Sequence, residues 1–333
     1  MSSDIYILGG SQSDFARNWA REGKGIYEMF EESLREAVDN ADIEPAEIEV
    51  GHVGNFVGEL FARQGLLGGF FGQVYPELAA LPTSRHEAAC ASGSIAIMSA
   101  MRDIEAGHYQ MACVLGLELM RNVDGKTGAE YLGAAAWNGR EATPEDCDFP
   151  WPHMFDRLTE EYDRRYGIKA DHLNSIAEIN FANAKLNPRA QTRKWEFAQG
   201  AFSCNDELNP VIEGRVRKQD CGQITDGAAC VILASESKAK EYAAKHGLAL
   251  GDIPRIKGWG HRSAPILLSR KLEISADAPL VFPHAAQCLQ EAAQRAGFAG
   301  AAQLDGLETH DCFTMTEYMA IDHAGLTAPG ESW

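Results

Sequence analysis

Glu87-Ala-Ala-Cys-Ala-Ser-Gly-Ser94 is the stretch that decides how this chain is read. One thiol, Cys90, sits among small residues, after the strand-like segment 83–89 and before the apolar run 91–106. That run carries Ile95, Ala96, Ile97, Met98, Ala100 and Met101, and its first charges are Arg102, Asp103 and Glu105. The pattern predicts a helix buried on nearly all sides. A thiol at the start of such a helix meets unpaired backbone N–H groups and the positive end of the helix dipole. Both favour thiolate over thiol, which gives Cys90 the setting of a nucleophile with room for a substrate. The competing reading is a small buried hydrophobe, the usual fate of a free cysteine. Cys113 and Cys230 lie in apolar strand-like runs and read as core, and Cys288 lies on a predicted helix.

Outward from this stretch the chain alternates strands and helices. Residues 5–8 are a short strand ending in Gly9-Gly10. Residues 26–41 place Ile26, Phe30, Leu34, Ala37 and Val38 on one helical face. Residues 48–57 read as a strand, 64–74 as a Gly-rich helical piece, and 111–119 as a strand apolar throughout, as inside a sheet covered on both faces. This order predicts a largely parallel, layered α/β domain with right-handed crossovers. After Met120 the pattern breaks. Residues 121–205 are richer in Pro, Asn, Trp and charge, with one helix near 173–184, and read as an inserted lobe. Asp226-Gly-Ala-Ala-Cys-Val-Ile232 then begins a strand whose simplest course is back into the first sheet. A second cycle follows: a strand at 255–259, a helix at 283–296 with Pro283 in its first turn, a short strand at 306–310 and a helix at 314–324. The repeat is architectural, without residue-level periodicity.

Composition narrows the function classes. The 333 residues are 45% apolar and 23% charged, ordinary for a globular protein. A net charge of −18 argues against nucleic acid and anionic membrane as partners. There is no Cys-x-x-Cys pair, and eight cysteines are too few for a disulfide scaffold. Reduced thiols in a reducing compartment, the cytoplasm, fit best. Met1-Ser-Ser-Asp-Ile-Tyr-Ile-Leu8 reads as a first strand rather than a signal peptide. No run reaches the ~20 apolar residues of a membrane span. His52, His108, His172, His246, His261, His284 and His323 show no partner pattern, and no metal set emerges. His86 is four residues from Cys90, about 13 Å along a strand, and need not touch the sulfur.

Together these pieces resemble the thiolase family. The resemblance rests on Ala88-Ala-Cys-Ala-Ser-Gly93, on Asp226-Gly-Ala-Ala-Cys-Val-Ile232 and on His310-Asp-Cys-Phe313, and it covers nearly the whole chain in the expected order. The last motif is similar to the variant of sterol-carrier-protein-type thiolases. The resemblance implies an α/β thiolase fold: two similar βαβαβ halves in α-β-α-β-α layers with an inserted loop domain. The corresponding domains would be residues 1–120 plus 205–250, the coenzyme A side at 121–204, and a partial second half at 251–333. It further implies acyl transfer on coenzyme A thioesters, with Cys90 acylated and a second coenzyme A or acyl-CoA receiving the group. His310 would serve the oxyanion hole, directly or through a water, and Phe313 would pack near the pantetheine arm. His153-Met154 is similar to a pair lining the pantetheine channel, and reads equally as part of a proline-fixed aromatic turn, Trp151-Pro-His-Met-Phe155. Arg189, Arg193 and Lys194 would meet coenzyme A phosphates or else form a solvated face. Coenzyme A is then a substrate, with no tightly bound cofactor and no metal, and a homodimer or tetramer is implied.

Two expected elements are missing. The family's Gly-His-Pro loop supplies a base and its Cys-x-Gly loop moves a substrate proton; these residues contain no Gly-His-Pro, and no Cys-x-Gly follows His310. Either the chain lacks a C-terminal part of its second half, which the stop at Trp333 favours, or an incomplete second half needs a partner chain. The second case leaves open a thiolase-like lyase or aldolase, or a non-catalytic subunit, beside a small OB-fold partner. A dinucleotide-binding dehydrogenase is disfavoured, because Gly9-Gly10 does not make Gly-x-Gly-x-x-Gly.

Overall fold

The computed structural model describes residues 4–137, 139–143 and 146–333. Its strands are β1 (Ile5–Gln12), β2 (Val50–Gly54), β3 (Thr83–His86), β4 (Met111–Glu118), β5 (Val211–Glu213), β6 (Val216–Arg217), β7 (Gly227–Ser235) and β8 (Arg255–Ile256). Its helices are α1 (Ile26–Ala41), α2 (Gly58–Phe61), α3 (Phe70–Val74), α4 (Ser92–Glu105), α5 (Gly125–Leu132), α6 (Pro150–Tyr166), α7 (Ala170–Ala184), α8 (Glu236–His246), α9 (Leu268–Ile274), α10 (Pro283–Ala296) and α11 (Thr314–His323). The chain divides into two compact units. The first holds residues 4–124, 189–191 and 224–257, and the second holds the remaining described residues.

The first unit is a six-stranded sheet in the order β3-β2-β4-β7-β1-β8. β2 runs parallel to β3 and β4, whereas β7 is antiparallel to both β4 and β1. The expected largely parallel sheet is therefore mixed. The reason is β7: after the insertion it returns to the first sheet, as expected, but enters between β4 and β1 in the opposite direction. β4 buries both faces. Met111, Cys113, Leu115 and Leu117 share a core with Met29, Phe30 and Leu34 of α1, while the alternate residues Ala112 and Val114 are buried on the other side. α1 spans the predicted residues because its apolar positions recur at helical spacing, and the Glu28 side chain accepts the Gly25 N–H at 2.7 Å to close its first turn. α4 is buried along one side only; Ile95 and Ile97 are half-exposed, so the expectation of a helix enclosed on nearly all sides does not hold.

Asp226 ties this unit together. Its fully buried carboxylate accepts the Met120 and Arg121 N–H groups, both at 2.8 Å, and the Trp19 N–H at 3.2 Å. It thereby fixes the end of β4, the start of β7 and the loop that carries Trp19.

The second unit is mainly helical. Leu158 and Tyr162 of α6, Leu173 and Ile176 of α7, and Met315 and Tyr318 of α11 form its core with Val281. The inserted stretch holds α5 and α6 besides the expected helix. Among the described residues of this unit the only sheet is the β5–β6 hairpin. The expected strand at 306–310 has no neighbouring strand to accept its backbone and is not one, and that at 255–259 contracts to β8. α10 and α11 form as the sequence predicts.

Asp226→Ala leaves three backbone N–H groups without their acceptor. It should cost at least about 3 kcal/mol, and Asp226→Asn, which keeps an acceptor oxygen, clearly less. Denaturant unfolding of the three proteins measures both differences.

Candidate active site

Cys90 lies in a 3₁₀ turn, Ala89–Ala91, that runs directly into α4. Ala89 has φ +48°, the left-handed region that a residue with a Cβ adopts at a cost of roughly 1–3 kcal/mol. Short hydrogen bonds hold it there. The Glu87 carboxylate accepts the Ala89 N–H at 2.6 Å, and the Ser92 hydroxyl accepts the Ala88 N–H at 3.0 Å while donating to the Ala89 carbonyl at 2.6 Å. A Cβ added at Gly54 would stand 2.8 Å from the Gly93 Cα, so the start of α4 lies hard against the C-terminal end of β2. The residue is exposed, yet its surroundings are crowded enough that desolvation pushes the thiol pKa above its ordinary value. A backbone hydrogen bond opposes this, and the charge of Glu118 adds to it. Desolvation thus acts against the thiolate that the helix start was expected to favour.

Glu118 is the residue the sequence reading passed over. It ends β4, two positions beyond Gly116, which pairs with Gly54. Its Oε1 accepts the Phe56 N–H, and its Oε2 is buried. Desolvation raises its pKa to about 7; the Phe56 N–H, Arg85 and the Val57 N–H pull it down, and Glu59 pushes it up. Beside it, Asn55 donates to the Leu117 carbonyl at 2.8 Å and accepts the Gly58 N–H at 3.0 Å, fixing the loop after β2. The signal was one carboxylate closing an otherwise apolar strand.

The pairing of His52 with His86 also escaped the sequence reading, which gave His52 no partner. They lie on the paired strands β2 and β3, where His52 faces Ser84 in register. His52 Nδ1 stands 3.0 Å from His86 Nε2, and the Ser84 hydroxyl lies 3.1 Å from the former and 2.9 Å from the latter. His52 Nε2 is 3.2 Å from Asp103 Oδ2. Burial lowers both histidine pKa values. Among the described residues no group of three or more His, Cys, Asp or Glu is arranged to hold a metal.

In the second unit His310-Asp-Cys-Phe313 leads into α11. His310 is exposed as a residue, but the crowding around its ring lowers its pKa by desolvation. Phe313 is buried and stacks on Phe155 with centroids 4.2 Å apart. Asp311 lies against Glu317, and Asn180 Nδ2 donates to both, at 2.5 and 2.7 Å. Desolvation and the Glu317 charge raise the Asp311 pKa to about 7. Residues Trp151–Phe155 form the first turns of α6 after Pro150, not an irregular aromatic turn; there Met154 is buried and His153 Nδ1 lies 3.4 Å from Glu213. Arg189 belongs to the first unit and pairs with Glu36 at 2.8 Å, which raises its pKa. Arg193 and Lys194 belong to the second unit. A cavity of about 330 Å³ opens in that unit, lined by Thr159, Leu173, Asn174, Cys204, Arg215 and Arg217 among others.

The Asp311 pKa sets a sign. A carboxyl raised from 3.8 to about 7 in the fold supports stability below pH ~4 and loses that support as pH rises through ~7. Asp311→Asn should therefore raise stability more at pH 8 than at pH 5, by roughly 1–2 kcal/mol, in paired thermal or denaturant unfolding.

The family described as "Thiolase, N-terminal domain" matches residues 5–198, more than half of the chain. An acetyl-CoA acetyltransferase of Methanocaldococcus jannaschii is 28% identical over 333 residues, covering 99% of this chain and 78% of that protein. Human mitochondrial 3-ketoacyl-CoA thiolase, solved with CoA, superposes with TM-score 0.67 at 15% identity over 98% of this chain and 83% of its own. The Ltp2-ChsH2(DUF35) aldolase superposes with TM-score 0.66 at 16% identity over 99% of this chain and 78% of its own. These matches run along nearly all of the chain and cover 78% to 83% of the proteins matched. With a mixed α/β sheet, the three motifs in order and this family match on one sequence, the chain belongs to the thiolase family.

Proposed function

We propose that the chain is an acyltransferase that moves acyl groups between coenzyme A thioesters through an acyl-Cys90 intermediate. One observation carries this reading: in a thiolase-family chain, the exposed Cys90 thiol sits on a strained, clamped turn at the start of α4. The name of the M. jannaschii relative supports it. In the acylation step the Cys90 thiol loses its proton, its sulfur bonds to the acyl carbon, the bond from that carbon to the coenzyme A sulfur breaks, and coenzyme A leaves as the free thiol with a proton taken up. A coenzyme A thiol or a second acyl-CoA then removes the acyl group and restores Cys90. His310 serves the oxyanion, directly or through a water, and its depressed pKa keeps the ring neutral at physiological pH.

Coenzyme A is held as a substrate on the inserted domain, residues 121–204, without a tightly bound cofactor. A cavity of about 330 Å³ in the second unit supports this by its size and by the share of its lining, Thr159, Leu173, Asn174 and Cys204, that lies in or beside that stretch. His153, Met154 and Phe313 are assigned to the pantetheine arm, and Arg189, Arg193 and Lys194 to the phosphates. The Arg189–Glu36 pair sets a condition on that role: the arginine must give up the carboxylate to take a phosphate. The sterol-carrier-protein-type subgroup, cytoplasmic location and a homodimer or tetramer complete the proposal. β3 supports the dimer, since it is an edge of the first sheet with no strand beyond it among the described residues. The aldolase likeness favours a second reading, a carbon–carbon lyase that works beside a small OB-fold partner.

Thiolysis separates the two. With acetoacetyl-CoA and free CoA the chain should form acetyl-CoA, and Cys90→Ala should lose at least about a thousandfold in kcat. Undiminished thiolysis in Cys90→Ala overturns the acyl-cysteine mechanism. Absence of thiolysis together with a co-purifying second polypeptide supports the lyase.

A further inference from the structure

We infer that His52 and His86 form a positioning clamp for the Cys90 turn, one that holds while at least one of the two imidazoles is neutral and opens when both carry a charge. The arrangement lies within the first unit. Ser84 and His86 share one face of β3, because side chains alternate along a strand, and His52 lies on the same face of β2, opposite Ser84. Ser99 and Asp103 stand one turn apart on α4. The Ser99 hydroxyl is 3.4 Å from His86 Nδ1, His86 Nε2 is 3.0 Å from His52 Nδ1, and His52 Nε2 is 3.2 Å from Asp103 Oδ2. A polar chain therefore leaves α4, crosses β3 and β2, and returns to α4.

This chain brackets the Cys90 turn. His86 ends β3 just before the turn, and α4 begins just after it. Gly54, the partner of His86 on β2, has the Gly93 backbone of α4 directly against it. Ala89 between them is held in the left-handed region, so the turn keeps its shape only while the strand end and the helix stay together.

The proton count decides when the clamp holds. Asp103 favours a proton on His52 Nε2, which leaves Nδ1 as an acceptor. His86 Nε2–H then donates to it, directly or through the Ser84 hydroxyl, 2.9 Å from His86 Nε2 and 3.1 Å from His52 Nδ1. His86 Nδ1 in turn accepts from Ser99. One added proton, on His52 Nδ1, only reverses the direction: His52 donates to His86, and His86 donates to Ser99. A second sets N–H against N–H at 3.0 Å, and two cations then face each other with Asp103 alone to offset them.

Besides each other, the charged group that faces the rings is Asp103 of α4. Arg85 alternates to the other face of β3 and donates to Glu59 at 2.8 Å. β4 sets Val114 beside His52, and the Leu67–Gly69 turn that packs on β2 and β3 carries no titratable side chain. Burial lowers the pKa of both rings; the charge of His86 lowers that of His52 further, and Asp103 opposes the shift in both. The fold therefore binds fewer protons here than the unfolded chain, and the support is lost as pH falls below about 6.5.

The test uses the full chain, His86→Gln and His86→Ala. Gln keeps a donor in place of the Nε2–H and cannot take a charge. The first readout is hydrogen exchange of residues 87–92, corrected for intrinsic rates, at about pH 8 and about pH 5. The wild type should lose at least about tenfold in protection at the lower pH, and H86Q less than about threefold. The second is first-turnover release of CoA from acetyl-CoA at about pH 8, which rests on the acyltransferase reading. H86A should lose at least about tenfold, because a small displacement of the turn misaims the sulfur, and H86Q should recover much of that loss. Wild-type protection unchanged by acid, H86Q losing as much protection as the wild type, H86A releasing CoA at the wild-type rate, or H86Q no faster than H86A overturns the inference. If the wild type releases no CoA, the acyltransferase reading fails, and hydrogen exchange alone decides the clamp.

Discussion

The first unit depends on one buried carboxylate. Asp226 accepts the N–H groups of Met120, Arg121 and Trp19, and so joins the point where the chain leaves the sheet to the point where it returns. The tie spans a separation of 106 positions along the chain, from Met120 to Asp226. With it, β7 can enter between β4 and β1, and the last residues of β4 are immobilised. Glu118 lies two positions before Met120 and is placed by the same constraint.

At Cys90 two physical effects compete. A helix start favours an anion by typically 0.3–1 kcal/mol near the surface. Desolvation by crowding acts the other way and is the larger influence here. The balance favours the thiol over the thiolate, so its proton has to leave as the new bond forms. The site is built for positioning more than for standing ionisation: Ala89 is held in a left-handed conformation, and Gly54 lets the start of α4 approach β2 closely.

Much of this was legible in the sequence. The 3.6-residue periodicity of Ile26–Ala41 and the apolar run that became β4 are local signals, and both elements appear where they were expected. The small residues around Cys90 and the break after Met120 were equally plain. What stayed hidden was long-range. The direction of β7 depends on how the chain returns after the insertion, which no local pattern encodes. The His52–His86 contact depends on the register of β2 and β3. Residues 306–310 carry a strand-like composition, but a strand needs a neighbour to pair with. Glu118 was visible as a residue, but its burial and its bond to the Phe56 N–H come from the place of β4 beside the end of β2.

The central claim is that Cys90 carries the acyl group. Peptide mapping by mass spectrometry after brief acid-quenched exposure to acetyl-CoA tests it most directly. The account predicts one acetyl group, located on the peptide containing Cys90 and discharged when free CoA is added before the quench. Acetyl on another cysteine, or none on any, would contradict it.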